Sequence, residues 1–273
     1  MEQNGFKADL LKKNTWLIRG KGASAYLLVG NDRGMMIDSG EAEEDIHAFT
    51  ASLTDRPVEI VANTHGHFDH TGGNGYFKCA LMGRLAAEIA KQANGGQDLS
   101  KYPLEYPIIV IEDGFCIDLG NRVIETLKIG GHSPDSLAFL DKGERILFGG
   151  DSIQPMVPLK YKCTQPQPGM LRYVMDLSRI LSRRDEYDYI CGGHTAELLD
   201  GDLINHIMIA ALRALDGELD EPPAPPAGRD PKKGPFALHD PANSGFCRYK
   251  DASVSFDRRY LRNAEEPCMI QGT

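Results

Sequence analysis

The chain has 273 residues, which suits one large domain or two small ones and is long enough to bury a core without disulfides. It carries 30 Lys and Arg residues against 39 Asp and Glu residues, a formal net charge of −9. This acidic balance disfavours generic nucleic-acid binding, because phosphate neutralisation requires clustered basic residues. The hydrophobic fraction of 41%, arranged in regular apolar segments, excludes a wholly disordered chain.

The sequence shows no membrane-spanning or secretory pattern. No stretch reaches the roughly 18 apolar residues of a spanning helix, and residues 1–14 lack the hydrophobic core of a signal peptide. The six cysteines are scattered without a CxxC pair, which is typical of reduced thiols rather than of a zinc knuckle or a redox motif. We therefore expect a soluble protein retained in the cytoplasm.

The first half of the chain alternates short apolar runs with turn residues, a pattern typical of strands. Strands are predicted at Thr15–Arg19, Ala25–Gly30, Met35–Asp38 and Val58–Asn63. A helix is predicted at Glu41–Leu53, where acidic residues in the first turn precede an apolar face. A second helix is predicted at Arg84–Gln92.

The next part of the chain is rich in strands and then mixed. Strands are predicted at Ile108–Ile111, Phe115–Asp118, Arg122–Ile129, Leu137–Leu140, Arg145–Phe148 and Tyr187–Cys191. Helices are predicted at Met170–Leu181 and Leu203–Leu215. Strands followed by helices, twice over, predict a layered α/β protein with sheets inside and helices outside.

A proline-rich segment divides the chain near its C-terminus. Glu218–Pro235 contains six of the sixteen prolines and is predicted to be a loop. We expect one main domain over residues 1–216, with residues 217–273 forming a Pro-rich loop and a C-terminal extension packed on the same domain. Short strands are predicted in the extension at Phe236–His239, Phe246–Tyr249 and Ser253–Phe256.

Three of the eight histidines fall within six residues, directly after the predicted strand Val58–Asn63. The pattern is His-x-His-x-Asp-His, formed by His65, His67, Asp69 and His70. In an extended chain the first two histidines point the same way, so both can reach one cation. The other two residues lie past the strand end, where a turn can aim them at a second point. Neutral imidazoles and carboxylates are the ligands expected for zinc, and also for iron or manganese.

Three later segments share one design: a predicted strand, two glycines and a ligand-type residue. They end in His132, Asp151 and His194. Each of these residues would lie in a loop at the C-terminal end of a strand, where functional side chains concentrate in α/β folds. Together with the histidine cluster they make seven candidate ligands. That number is too large for one tetrahedral ion and suits two ions that share a bridging carboxylate.

These three residues also have structural interpretations. A lone buried histidine is more often a hydrogen-bonded core residue than a metal ligand, and Asp151 alone could cap a helix N-terminus. The histidine cluster and the repeated Gly-Gly context favour the ligand interpretation for all three.

In this order, the cluster His65–His70 and the pairs Gly131-His132, Gly150-Asp151 and Gly193-His194 resemble the motifs of the metallo-β-lactamase superfamily, over roughly residues 15–216. The resemblance implies an αββα sandwich, with the metals at one edge between the two sheets. It also implies a bridging role for Asp151 between two metal ions. Asp38 matches the family's aspartate that orients ligand histidines, with a turn-forming Asp as the alternative.

The same resemblance divides the remaining ligands between the two ions. The first ion would be held by His65, His67 and His132. The second would be held by Asp69, His70 and His194. The ions are most simply two Zn²⁺, with Mn²⁺ or Fe²⁺ also compatible.

Two cations lower the pKa of a shared water, supply a bridging hydroxide at neutral pH and polarise the scissile carbonyl or phosphoryl group. Asp69 is the candidate catalytic residue, because it can orient this nucleophile or shuttle its proton. We expect hydrolysis of a small ester, thioester or lactone. Asp151 resembles the glyoxalase II, lactonase and phosphodiesterase branches, whereas true β-lactamases usually lack this residue, so antibiotic hydrolysis is disfavoured.

Three alternatives remain open at this point. One is a phosphodiesterase of the same fold. Another is a persulfide-dioxygenase-like oxidoreductase with one iron held by His65, His132 and Asp151. The third is a non-catalytic relative, against which the complete ligand set argues.

The loop Ser152–Gly169 directly follows the bridging aspartate and should therefore line the substrate pocket. Its Lys160 and Tyr161 are candidate substrate-binding residues for a carboxylate or an oxyanion, the alternative being an ordinary exposed loop. Gln154 stands where lactonases tend to have Tyr, and Asp135 stands where family members commonly have Gly. We expect a small-molecule substrate and neither a nucleic-acid nor a membrane partner. The Pro-rich segment could cover the pocket or mediate homodimer formation.

Overall fold

The computed structural model describes residues 1–93, 96–159, 169–223 and 243–261. The first sheet has eight strands in chain order: β1 (Glu2–Gln3), β2 (Phe6–Lys12), β3 (Thr15–Arg19), β4 (Ala25–Val29), β5 (Gly34–Ile37), β6 (Val58–Ala62), β7 (Cys79–Met82) and β8 (Ile108–Val110). The second sheet has six strands: β9 (Cys116–Asp118), β10 (Val123–Lys128), β11 (Leu137–Asp141), β12 (Ile146–Gly150), β14 (Tyr189–Gly192) and β15 (Leu199–Asp200). A third, small sheet contains β13 (Met156–Leu159), β16 (Ser244–Tyr249) and β17 (Ala252–Asp257).

The described residues also form five α-helices, which are α1 (Ile46–Ala51), α2 (Phe68–Thr71), α3 (Arg84–Ile89), α4 (Met170–Leu181) and α5 (Leu203–Leu215). The bounds of α4 and α5 are those predicted from the apolar periodicity. No helix in the described part of the chain is long and apolar enough to cross a bilayer.

Strand direction brings several strand ends to one edge of the molecule. In the first sheet, β1 to β5 pair antiparallel and β5 to β8 pair parallel. In the second sheet, in the order β15-β14-β12-β11-β10-β9, β12 and β14 pair parallel and the other neighbours pair antiparallel. Because β10 and β12 both pair antiparallel with β11, they run in the same direction. The loops after β10, β12 and β14 therefore leave the second sheet at the same edge.

The predicted αββα sandwich is confirmed by the layering of the apolar clusters. Phe49 of α1 and Ala86 of α3 pack with Met36 on the outer face of the first sheet. Leu28 and Phe139 belong to the cluster between the two sheets. Helices α4 and α5 cover the outer face of the second sheet, and the strands β16 and β17 belong to the same cluster. A strand covered on both faces is buried throughout, as β4 is.

Two helix predictions in the first half were too long: the helix predicted at Arg84–Gln92 ends at Ile89, and the helix predicted at Glu41–Leu53 covers only Ile46–Ala51. The predicted helix Glu41–Leu53 begins only at Ile46, because Asp45 accepts a hydrogen bond from the Ala48 N–H and caps the helix there. The residues before Ile46 are not helical, and Glu41 instead donates its backbone N–H to the Lys21 carbonyl at 2.8 Å. Strands β1 and β2, ahead of the first predicted strand, were not predicted.

The C-terminal part of the chain adds a hairpin to the sandwich. Strands β16 and β17 contain the predicted strands Phe246–Tyr249 and Ser253–Phe256. Strand β17 pairs with β16 on one side and with β13 on the other, and β13 lies inside the segment predicted as a pocket loop. The predicted strand Phe236–His239 and most of the Pro-rich segment lie outside the described residues.

A buried ion pair joins the two sheets at the end of the sandwich away from the ligand loops. Arg122, which precedes β10, donates from Nε to Asp141 Oδ2 at 2.8 Å. Its other nitrogens donate to the carbonyls of Asn14 and Val29 and to the Thr15 hydroxyl, all in the first sheet or its turns. Both partners are almost fully buried, with 7% and 0% of the side chains exposed. The guanidinium therefore satisfies acceptors in both sheets at once.

We expect Arg122→Met to lower the free energy of unfolding by about 3–5 kcal/mol, because it leaves the Asp141 carboxylate buried without its cation. Urea denaturation followed by circular dichroism measures the loss. The matched control is Arg56→Met, which breaks an exposed pair with Asp55 and should cost about 0–1 kcal/mol. Equal losses in the two variants would contradict the role assigned to Arg122.

Candidate metal centre

The histidine cluster forms the loop between β6 and α2 and the first turn of that helix. Gly66 separates the first two histidines, and a Cβ at this position would lie 2.4 Å from the Ala86 carbonyl oxygen. Helix α3 therefore packs directly on the loop backbone, which only glycine permits. This contact fixes the chain between His65 and His67.

Three ring nitrogens converge beyond this loop. His67 Nδ1 lies 2.9 Å from His65 Nε2 and 2.8 Å from His132 Nε2. A ring nitrogen carries either one N–H or one in-plane lone pair, so His67 Nδ1 cannot form a normal hydrogen bond with both neighbours at once. Three imidazole nitrogens in this arrangement are suited to a divalent cation. We refer to His65, His67 and His132 as the three-histidine set.

A second set of side chains lies beside the first. His194 Nε2 is 3.5 Å from Asp69 Oδ2, and His70 Nε2 is 3.9 Å from the same oxygen. Asp69, His70 and His194 each offer one atom within a sphere that a cation could occupy. We refer to these residues as the mixed set. Asp69 and His194 form the solvent-exposed side of the mixed set, with 30% and 43% of their side chains exposed, whereas His70 is fully buried.

Asp151, at the end of β12, lies between the two sets. Its Oδ2 is 3.6 Å from His132 Nε2 and 3.4 Å from His194 Nε2. Its Oδ1 is 3.4 Å from His70 Nε2. A Cβ on Gly193 would lie 2.1 Å from that Oδ1, so the glycine before His194 is required for the close approach of the two loops.

The donor set fits the cations that the family resemblance implies. Within the described residues, His70 Nε2 and Asp151 Oδ1 are buried side-chain atoms without a hydrogen-bond partner. Buried polar atoms are rarely left in this state. Both point to the space between the two sets, where a divalent ion would satisfy them together.

The three-histidine set is held in the uncharged form. Burial lowers the pKa of His65 well below its ordinary value, and the neighbouring imidazoles lower it further. Burial, with His132 nearby, lowers the pKa of His67 to about 3. Burial also lowers the pKa of His132, against the opposing effect of Asp151. At neutral pH these rings therefore present lone pairs to a cation.

The mixed set has the opposite electrostatics. Burial alone would lower the pKa of His70, but the nearby carboxylates of Asp38 and Asp151 outweigh it and raise this pKa well above its ordinary value. Burial would also lower the pKa of His194, but the Asp151 carboxylate outweighs it and raises this pKa above its ordinary value. Burial would raise the pKa of Asp151, but His70 and His132 outweigh it and hold it well below its ordinary value. The region is therefore rich in carboxylate charge that favours positive charge nearby.

Asp38 holds the histidine loop at both of its ends. The residue follows β5 with a φ of 57°, a conformation that Asp tolerates better than most residues. Its carboxylate accepts from the Thr64 N–H, from the Thr64 hydroxyl and from His70 Nδ1, each at 2.8 Å. Because the Thr64 hydroxyl gives its proton to Asp38, it accepts from His65 Nδ1 at 3.1 Å. One carboxylate thus fixes the tautomer of His65 and of His70.

The His132 loop is held by groups that the sequence did not single out. His132 Nδ1 donates to the Pro158 carbonyl at 2.8 Å, which leaves Nε2 to face the other ligands. Asp176 of α4 accepts from the Gly130 N–H at 2.9 Å. Tyr173, one turn earlier on α4, donates to the Ser152 carbonyl at 2.6 Å. In the sequence, Asp176 and Tyr173 could have been noticed as polar residues on an otherwise apolar helix face. The Pro158 carbonyl belongs to the backbone, so nothing in the sequence marks it as an acceptor.

The structure also gives a role to the two departures from family patterns. Gln154 Oε1 accepts from the His194 N–H at 3.1 Å and so supports the last ligand loop. Asp135 Oδ2 accepts from the N–H groups of Leu85 and Ala86 at 2.6 and 3.2 Å. It therefore caps the first turn of α3, the helix that packs on the histidine loop.

The structure brings together all seven candidate ligands and Asp38. Lys160 and Tyr161, the candidate substrate-binding residues, lie outside the described residues. Cys191, in β14 ahead of the His194 loop, is fully buried between the sheets.

Two curated relatives are hydrolases by name. The chain is 27% identical over 166 residues to acyl-coenzyme A thioesterase MBLAC2 of Bos taurus, covering 49% of this chain and 59% of that protein. It is 34% identical over 128 residues to a hydroxyacylglutathione hydrolase of Francisella tularensis, covering 47% of this chain and 46% of that protein. The chain therefore spans about half the length of the curated relatives it matches.

Solved structures share the fold. A metallo-beta-lactamase from Pontibacter korlensis superposes with a TM-score of 0.59 at 15% identity, covering 76% of this chain and 99% of that one. The DIM-1 metallo-beta-lactamase gives the same TM-score at 16% identity. The profile of the metallo-beta-lactamase superfamily matches residues 18–194, a range that includes all seven candidate ligands. The chain belongs to the metallo-beta-lactamase superfamily.

Proposed function

We propose that this protein is a binuclear metal-dependent hydrolase of small thioesters, esters or lactones. The observation that carries the proposal is the convergence of two ligand sets on Asp151. His132 Nε2 of the three-histidine set and His194 Nε2 of the mixed set lie 3.6 and 3.4 Å from the same Asp151 oxygen. Imidazole and carboxylate donors without a thiolate suit Zn²⁺, and they suit Mn²⁺ or Fe²⁺ as well.

The bound cations would lower the pKa of a shared water and polarise the substrate carbonyl. Asp69 is the residue of the site best placed to handle the water proton. Its carboxylate is 30% exposed and lies 3.5 Å from His194 Nε2, so it faces both the ligands and the open side of the site. In thioester hydrolysis the water oxygen bonds to the carbonyl carbon, the carbon–sulfur bond breaks, and a proton passes to the leaving thiolate. We assign Asp69 to orient the water and carry that proton.

The class of substrate follows from the relatives. Their printed names describe thioester hydrolysis of an acyl-coenzyme A and of a hydroxyacylglutathione, and a third relative, from Aspergillus fumigatus, is an atrochrysone carboxyl ACP thioesterase. We therefore place thioesters ahead of esters and lactones. We propose that Lys160 and Tyr161 contact a substrate carboxylate or oxyanion. We also propose a cytoplasmic location for the protein.

Metal analysis of the protein as purified, followed by assays on p-nitrophenyl esters, bis-p-nitrophenyl phosphate, acyl-coenzyme A, S-acylglutathione, lactones and glutathione persulfide, tests the function. Release of thiol from the thioesters at the highest kcat/KM would support it. Turnover of bis-p-nitrophenyl phosphate alone would favour the phosphodiesterase alternative. One iron per chain with oxygen consumption on a glutathione persulfide would favour the dioxygenase alternative, in which His65, His132 and Asp151 hold the metal.

We expect Asp151→Asn to reduce metal content from two ions per chain to one or none and to lower thioesterase activity by at least about 100-fold. The neutral amide removes the charge that the two sets share while keeping the shape of the side chain. Plasma emission analysis of dialysed protein measures the metal, and circular dichroism measures the fold. Asp200→Asn, on a carboxylate that is 81% exposed, is the matched control. Full activity in the Asp151 variant would contradict the binuclear proposal.

We expect Asp38→Asn to weaken Zn²⁺ binding by about 10–100-fold. Asn tolerates the positive φ of this position, so the turn is kept, but its amide nitrogen would face groups that themselves donate. Competition with a chromophoric chelator measures the affinity. Asp113→Asn, in an exposed pair with Arg179, is the control. An unchanged affinity in the Asp38 variant would show that His65 and His70 do not depend on this carboxylate.

A further inference from the structure

The C-terminal hairpin lies beyond residues 18–194, the part of the chain that the family profile matches. Its strand β17 pairs in parallel with β13, from Met156 opposite Ser253 to Leu159 opposite Phe256. The Ser253 N–H donates to the Pro155 carbonyl at 2.8 Å. Among the described strands, β17 is the one that β13 pairs with. The position of β13 therefore depends on the hairpin.

The other edge of β13 faces the metal centre. Pro158 has no N–H, so this residue can stand in a strand only where its backbone edge points away from the neighbouring strand. The Pro158 carbonyl accepts from His132 Nδ1 at 2.8 Å instead. One short strand thus joins the hairpin on one side to a ligand histidine on the other.

The hairpin itself is firmly fixed to the second sheet's helix layer. Cys247, Val254 and Phe256 are buried in the cluster formed with α4 and α5. Beyond α5, the Asp220 carboxylate accepts from the Arg248 N–H at 2.8 Å, and the Asp220 N–H donates to the Phe246 carbonyl at 2.8 Å. The hairpin is therefore a rigid support for β13 rather than a loose tail.

We propose that the C-terminal hairpin is a positioning element of the metal centre. Through β13 it fixes the Pro158 carbonyl, which holds the Nδ1 proton of His132 and thereby aims His132 Nε2 at the three-histidine set. The inference rests on the metal-binding part of the proposed function and is independent of the substrate. It assigns no role to the hairpin at the mixed set, whose residues form no hydrogen bond or ion pair with β13 among the described residues.

The test compares matched core substitutions in the full-length chain. Phe256→Leu loosens β17 beside Leu159, and Phe49→Leu makes the same change at an equally buried site on α1. Zn²⁺ affinity is measured by chelator competition in a His194→Ala background, which leaves the three-histidine set, and in a His67→Ala background, which leaves the mixed set. We expect Phe256→Leu to weaken Zn²⁺ binding about 10-fold in the first background and to leave it unchanged in the second. Phe49→Leu should change neither.

A milder pair guards against failure to fold. Val254→Ala in β17 and Val29→Ala at the far end of β4 remove the same atoms from buried positions. In the otherwise unchanged chain, the Nδ1 proton of His132 is followed by imidazole ¹H–¹⁵N correlation spectra of the Zn²⁺-loaded protein. We expect Val254→Ala to speed the exchange of this proton with water and Val29→Ala to leave it unaltered.

Equal Zn²⁺ affinities in the Phe256 and Phe49 variants, or an equal loss in both backgrounds, would overturn the proposal. So would a His132 proton that exchanges alike in both valine variants. A protein that binds Zn²⁺ but hydrolyses no thioester, ester or lactone would refute the proposed function and leave this comparison intact, because no substrate enters it.

Discussion

The buried carboxylate of Asp38 is the interaction on which the arrangement of the candidate metal centre depends. It stands at the end of β5 and binds the first and last parts of the histidine loop, through Thr64 and His70. Because Thr64 in turn orients His65, a single charge directs one ligand of each set. A neutral side chain could supply some of these hydrogen bonds, but a charged acceptor also makes each ring nitrogen a better metal ligand.

The centre exists only when the two sheets are docked. The first sheet contributes the histidine loop, and the second contributes the loops that carry His132, Asp151 and His194. Hydrogen bonds close to the ligands lock the two halves together, from the Leu137 N–H to the Thr64 carbonyl and from the Ser24 N–H to the Gly193 carbonyl, both at 2.7 Å. The geometry of the ligands therefore depends directly on how the two sheets pack against each other.

The sequence predicted the parts of this structure that follow a local rule. Four of the seven converging side chains were found from the spacing of the histidine cluster, and the other three from glycine pairs that follow predicted strands. Helices α4 and α5 were found because their apolar periodicity is strong. The start of α1 was missed because a tertiary contact of Glu41 overrides the local helix signal. The support of His132 by the Pro158 carbonyl could not be found, because this backbone group meets the ligand loop only through long-range packing. Asp176 left one signal, an acidic residue on an apolar helix face, but its partner in the loop is likewise set by long-range packing.

Exposure is distributed unevenly over the metal centre. His65 and His70 are closed off by the sheets and helices, whereas Asp69 and His194 stand at the surface. Solvent and any reactant thus enter from one side, past the carboxylate assigned to proton transfer. Because of this asymmetry, the residues that set the reactivity and the loops that select the substrate lie on different sides of the centre. Loops on the open side can therefore change to suit a new substrate while the layered scaffold stays the same.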